Sequence, residues 1–317
     1  MYREADSPGP AADVAARCEQ LLFEAADPAA MATGGPKGSA EWVRVALSQI
    51  DERAERGGAL DGLSTGLAGL DGFLAGLKPG QMIVVGARPG VGKTALGLRI
   101  GLANSAAGVP VLFISAEMPT GEIAARALAQ RSGVGLRAIQ SGRFGEGEAG
   151  RVAEAGRELE AEPFFIDDTS GVSAARVASE LRRAVRRRRV GLCVVDFLQL
   201  LVPDNPRENR VLQVGGMARS IKLAARACGV PIVTLCQLNR ESEGRDGGRP
   251  RLADLRDSGE IEQNADAVIL LHVPPGQSAD EPVWRVDAIV AKNRNGPVGE
   301  TTLDYARPIV RFDNARK

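Results

Sequence analysis

Histidine is almost missing from this 317-residue sequence, and His272 is the single example. Its scarcity removes Ser-His and Cys-His catalysis except around that one position, and it removes histidine-rich metal sites. His272 follows the apolar run 268–271 and reads as a packed strand-end residue. Cysteine is scarce as well. Cys18, Cys193, Cys228 and Cys236 show no CxxC spacing, and three of them sit in apolar contexts, so neither disulfides nor zinc are expected. Lysine is rare beside arginine, with six residues in all, which makes Lys93 and Lys292 stand out. Formal net charge is zero, so any nucleic-acid binding has to come from a local groove and not from a global field. No apolar run reaches membrane-spanning length and the opening MYREADSPGP carries no secretory signal, which reads as a cytosolic protein with no membrane partner. What is present is ample apolar content, 44%, enough for one large or two small domains with a proper core.

The most informative segment is VVGARPGVGKTALGL, residues 84–98. Residues 83–85 are an apolar run short enough for a buried strand, 87–92 read as a turn, and a helix is expected from Thr94 to Gly108. Backbone N–H groups at a helix start carry partial positive charge, and Gly90 and Gly92 let them approach phosphate oxygens closely. The loop Arg88, Pro89, Gly90, Val91 and Gly92 is thus a candidate cradle for ATP, with Lys93 reaching the β- and γ-phosphates and the Thr94 hydroxyl holding Mg²⁺. The strict pattern GxxxxGK[ST] asks for glycine where this chain has Ala87, the smallest departure available. A plain glycine turn before a core helix is the competing reading; strand, turn, Lys-Thr and helix in this order favour the cradle.

Organisation along the chain follows composition. Residues 1–40 are rich in Ala, Gly and Pro, with one helical stretch over 11–26 and a connector over 27–40. A second helical pattern over 41–56 carries Trp42, Val43, Val45, Ala46 and Ile50 on one side, a stripe too short to be buried by itself. Either it caps its own domain or it docks on a neighbouring subunit. From about Gly62 onward, the apolar runs 83–85, 111–114, 192–195, 232–235 and 268–271 alternate with helical segments. Continuous runs of this kind indicate parallel strands covered on both faces, an α/β fold. The arginine-rich LRRAVRRRRV (181–190) could be a nucleic-acid patch, but Arg186 to Arg189 close a helix just before a buried run, where cations suit the helix dipole and solvent.

In open parallel sheets, ligands sit at the carboxyl ends of the strands. The second run leads to Glu117 in VLFISAEMP, the third to Asp196 in LCVVDFLQLL, and the fourth to Gln237 in PIVTLCQLNR. Each has a use in triphosphate hydrolysis, which proceeds mainly by positioning and electrostatic stabilisation. Asp196 can hold Mg²⁺ through its water shell, Glu117 can orient the attacking water, and Gln237 can sense the γ-phosphate. Singly, any of these could be a strand-end polar residue facing solvent; their joint placement on one edge favours the site. Two further segments lie apart: LRDSGEIEQNAD (255–266), a charged loop leading into a helix, and AKNRNGP (291–297), where Lys292 and Arg294 at two-residue spacing point the same way, as two cations for one anion would.

The ordered set ARPGVGKT, VLFISAEMP, VVDFLQLL, VPIVTLCQLNR, LRDSGEIEQNAD and KNRNGPVG closely resembles the C-terminal motor domain of DnaB-type replicative DNA helicases. The resemblance runs from about Gly62 to Asn314 and includes GLSTGLAGLD and RFDN; alanine at the position of Ala87 is common in that family. It implies a RecA-like P-loop core over 61–317, a linker helix over 41–60, and a ring homo-oligomer, a hexamer, that threads single-stranded DNA through its centre with ATP between neighbours. Lys93 and Thr94 are then the nucleotide and Mg²⁺ ligands, Glu117 the catalytic carboxylate, Asp196 the Walker B acid and Gln237 the γ-phosphate sensor. Lys292 and Arg294 look like the pair that reaches in trans, with Arg294 the arginine finger, and Arg256, Asp257 and Gly259 match the loop that holds the DNA backbone. Family members carry a helical collar domain that contacts primase and loaders. The stretch ahead of the motor is short here, so the expectation is a reduced collar and a phage-, prophage- or plasmid-type helicase.

Two other functions compete. One is a recombination or repair ATPase of the RadA class, which shares a KNR-type segment, although KNRNGP and the Gln199 of DFLQLL favour the helicase. The other is a regulatory ATPase oligomer that binds proteins and does not unwind DNA.

Overall fold

Apolar runs flanked by helices can satisfy their backbone only by pairing with one another, and here they do so in parallel. The computed structural model describes residues 38–316 apart from 56, 58–59, 204–206, 240–247, 256–257 and 279, and for 49, 53 and 258 only the backbone. The helix expected over 11–26 lies outside the described residues. The chain divides into two units at residues 59 and 60. In the first unit, α1 (Ser39–Glu55) covers nearly the stretch expected, and Trp42, Val43, Val45, Leu47 and Ile50 are exposed on it.

In the second unit the described strands form one nine-stranded sheet in the order β3-β2-β4-β5-β1-β6-β7-β8-β9. Its parallel part is β1 (Met82–Ala87), β2 (Val111–Ser115), β3 (Phe164–Asp167), β4 (Leu192–Asp196), β5 (Ile232–Gln237) and β6 (Ala267–His272). Antiparallel β7 (Val283–Asn293), β8 (Gly299–Ala306) and β9 (Arg311–Asn314) extend it at one side. The five expected runs are all strands, each longer than the apolar stretch by one to three residues. Ala87 therefore belongs to β1 and not to the turn, and the helix after the loop starts at Lys93 and ends at Ala106.

Helices cover both faces: α2 (Ala68–Leu74), α3 (Lys93–Ala106), α4 (Thr120–Ser132), α5 (Leu136–Ser141), α6 (Glu148–Ala161), α7 (Ala174–Arg188), α8 (Arg210–Cys228) and α9 (Ser258–Asn264). Alternation along each strand feeds two cores. On β1, Ile83, Val85 and Ala87 join Leu96 and Ile100 of α3, whereas Met82 and Val84 join Val177 and Leu181 of α7 and Met217 and Ile221 of α8. α7 ends at Arg188 with Arg189 left-handed as its cap, and β4 begins at Leu192, so the arginine run closes a helix ahead of a buried strand. Arg188 lies over the Phe165 ring. His272 is the last residue of β6 and nearly buried, and that burial lowers its pKa, which favours the neutral ring.

A candidate phosphate cradle at one sheet edge and a cation pair at the other

At the end of β1 the chain turns through Gly90 (φ 81°) and Gly92 (φ 101°), both in the region that only glycine enters freely. Gly92 is the N-cap of α3 and supplies no side-chain cap, so the helix start presents its N–H groups toward whatever fills the loop. The loop is pinned from outside. Arg88 Nη1 donates to Leu238 O (3.3 Å), tying it to the end of β5. Tyr305 and Phe312, stacked with centroids 4.5 Å apart, press on Gly92 from β8 and β9. A Cβ at position 92 would lie 2.9 Å from Phe312 Cε2 and 3.0 Å from Tyr305 Cζ. Gly92→Ala is therefore expected to cost about 1–3 kcal/mol of stability and to raise KM for nucleotide. An unchanged Tm would mean that the aromatic pair does not support the loop.

Three strands deliver acceptors to this edge. Asp196 ends β4 with its side chain fully buried, and Thr94 Oγ1 donates to its Oδ2 at 2.6 Å. Lys93 Nζ lies 2.9 Å from Asp196 Oδ1, an ion pair with angles too poor for a hydrogen bond, and 3.6 Å over the Phe197 ring. The same Nζ is 3.4 Å from Glu117 Oε2. Glu117 stands two residues beyond β2 and not at its last position; Ser115 Oγ donates to Met118 O and accepts from Met118 N, which closes the turn that carries it. Its side chain is 47% exposed, so water reaches Glu117 but not Asp196. Gln237 is the last residue of β5, directly beside Ala87. Its backbone is clamped by the Gln199 amide, whose Nε2 donates to Gln237 O and whose Oε1 accepts from Gln237 N, both at 3.2 Å.

Beside them is a cavity of about 310 Å³ lined by Arg88, Pro89, Gly90 and Gly92 of the loop, Lys93, Thr94, Glu117, Gln237 and also Arg126, Phe197 and Tyr305. Arg126, on α4, keeps a buried Nε with no hydrogen-bond partner among the described residues, which suits an anionic occupant. Neither Arg126 nor Tyr305 stood out in the sequence, because one is an arginine among many on a helix and the other lies in a hairpin far along the chain. Thr94 and Asp196 offer two oxygens of the kind Mg²⁺ takes. Among the described residues no group of three His, Cys, Asp or Glu could hold a metal ion. Cys236 is fully buried close by, and that burial pushes its thiol up to about 12, so it is inert there.

Lys292 and Arg294 are not part of this cavity. β7 runs antiparallel to β6, so it ends where β1 and β6 begin. Lys292 Nζ donates to Glu262 O and Arg294 Nη2 to Gln263 O, both at 2.5 Å, so the two cations take consecutive carbonyls at the end of α9. Arg294 itself lies one residue past β7. Burial, and then the charge of Arg294, lower the Lys292 pKa. The six residues of β1 separate this edge from the cradle, about 17 Å at the rise of a strand. Of the other expected site residues, Arg256 and Asp257 lie outside the described residues, and Gly259 is exposed in the first turn of α9. No described helix is long and apolar enough to cross a membrane.

Comparison with known proteins adds to this geometry. The profile of the DnaB-like helicase C terminal domain matches residues 62–314. A replicative DNA helicase DnaB of Leifsonia xyli subsp. xyli is 35% identical over 274 residues, 86% of this chain and 60% of that protein, so the chain spans less than two thirds of that relative's length. The replicative DNA helicase DnaB of Haemophilus influenzae is 34% identical over 305 residues, 93% of this chain and 65% of that protein. Among solved structures, a DnaB-like replicative helicase described with its interactions with primase superposes with a TM-score of 0.79 at 29% identity, over 95% of this chain and 71% of that one. A solved ATPase domain superposes at 0.81, also 29% identical, covering 89% of this chain and all of that one.

Proposed function

Since the chain belongs to the DnaB-like helicase family, whose C-terminal domain it matches over residues 62–314, we propose that it hydrolyses ATP to move 5′ to 3′ along single-stranded DNA as a ring of identical subunits. The observation that carries this reading is the separation of two half-sites. A phosphate cradle stands at one edge of the sheet and a cation pair at the opposite edge of the same subunit. Arg294 cannot reach its own subunit's cradle across the length of β1. A head-to-tail neighbour would bring the two edges together, and contacts of that kind close into rings.

Within the site, the loop 88–92 and Lys93 bind the triphosphate of ATP, with Thr94 and Asp196 as the residues that hold Mg²⁺. Held there, Mg²⁺ would supply positive charge that offsets the charge of the phosphates. Glu117, solvent-accessible and tethered to Lys93, orients the attacking water and takes its proton. Gln237, its main chain fixed by Gln199, contacts the γ-phosphate. Lys292 and Arg294 of the neighbour stabilise the charge that develops on the transferred group. Residues 61–317 form the motor. α1, with its exposed Trp42 and Ile50, is the core of a linker over 41–60 that docks on an adjacent motor, and Arg256 and Asp257, together with Gly259 in the first turn of α9, follow the DNA backbone. A primase or a loader is the further partner that the family suggests.

The test is steady-state ATP hydrolysis with and without single-stranded DNA, with unwinding of a forked duplex followed in the same samples. Strong stimulation together with unwinding is expected. Stimulation without unwinding would move the reading to a recombination-type ATPase, and no stimulation to a regulatory oligomer.

A further inference from the structure

We propose that Asp266 is a positioning residue that presents Arg294 to the neighbouring subunit, an inference that rests on the role in trans proposed above for Arg294. Asp266 stands just ahead of β6 and is only 7% exposed. Its two carboxylate oxygens are used differently. Oδ2 accepts from Met82 N (2.7 Å) and from Lys222 Nζ (2.5 Å), which anchors the group to the first residue of β1 and to α8. Oδ1 faces Arg294 Nη1 at 3.7 Å. The main chain repeats the tie, because Asp266 N donates to Met82 O (2.9 Å) and Arg294 N donates to Asp266 O (2.8 Å).

The consequence is an anchored negative charge beside a half-exposed cation. Arg294 is half exposed at the end of a strand, where a long side chain samples many rotamers. One side of its guanidinium is held by the Gln263 carbonyl at the end of α9, where the helix dipole is negative, and the other is drawn toward a carboxylate that cannot move. A pair at 3.7 Å orients by charge without forming a hydrogen bond, so the planar fork keeps donors for a bidentate contact to phosphate. Asp266 contributes nothing to its own subunit's cradle, which lies at the far end of β1.

Single-turnover hydrolysis of labelled ATP by the full chain with single-stranded DNA tests this. Asp266→Asn is expected to lower the hydrolysis rate about tenfold while the ATP concentration for half-maximal rate stays within about twofold, because the cation in trans acts on the transition state and not on ground-state binding. In an Arg294→Ala background, the same change should alter the rate by less than about twofold, since the cation it orients is gone. Asp266→Asn leaves Lys222 without its carboxylate, so Lys222→Met/Asp266→Asn, which removes both charges, provides a second variant with the same expected rate loss. An equal loss in both backgrounds, a shift confined to the half-maximal concentration, or an unchanged rate in both Asp266 variants would overturn the proposal. Arg294→Ala at wild-type rate would instead overturn the reading on which it rests.

Discussion

Alanine at position 93 is expected to lower ATP turnover at least a hundredfold and also to destabilise the nucleotide-free protein. Both effects have one origin. The side chain of Asp196 has no exposure, and among the described residues Lys93 is the cation paired with it. Removing Nζ leaves a buried carboxylate held only by the Thr94 hydroxyl, and breaking a buried pair from one side costs about 3–5 kcal/mol. On the proposed reading, the same Nζ also contacts the phosphates of ATP. The two effects separate in a double variant. Lys93→Ala/Asp196→Asn removes the stranded charge and should recover most of the lost Tm, but it should recover no turnover. Thermal unfolding and steady-state hydrolysis on the three proteins decide the matter. Turnover within tenfold of wild type in Lys93→Ala would remove the loop from the mechanism.

Much of the frame of the second unit is legible in the sequence, and the reason is physical. Strands buried on both faces read as unbroken apolar runs, so the runs at β1, β2, β4, β5 and β6 stand out and the residues after them form one edge. β3 is different: it is an edge strand whose four residues are all half-buried, and its short run sits between charged neighbours. β7 and β8 alternate buried and half-exposed positions, a period-2 pattern that a search for continuous runs passes over. Missing that hairpin hides the Tyr305 and Phe312 pair that supports Gly92. It also hides how Lys292 and Arg294 come to face the same way. Both take carbonyls of α9, and for Arg294 this happens beyond the end of the strand. Asp266 closes the segment 255–266, but its contacts are silent in sequence because its partners Met82, Lys222 and Arg294 are scattered along the chain.

Mixing two inactive variants is expected to restore activity, because each would carry the half-site that the other lacks. Arg294→Ala subunits keep Glu117 and lose the cation; Glu117→Ala subunits keep the cation and lose the carboxylate. If Arg294 acts in trans, an intact site forms wherever an Arg294→Ala subunit offers its cradle to the edge of a Glu117→Ala neighbour. Random assembly of equal amounts in a head-to-tail ring makes about a quarter of interfaces complete, which sets the ceiling for recovered hydrolysis if the sites fire independently. Unwinding is expected to recover far less than hydrolysis, since a strand passed from subunit to subunit meets a dead interface within one circuit. The measurement is hydrolysis and unwinding across mixing ratios after co-assembly, with each variant alone as the baseline. Recovery that peaks near equal amounts supports completion between subunits. The absence of recovery at every ratio, with mixed assembly verified, would return Arg294 to its own subunit, where about 17 Å of β1 stand between it and the phosphates, and would leave the two-edge reading without a mechanism.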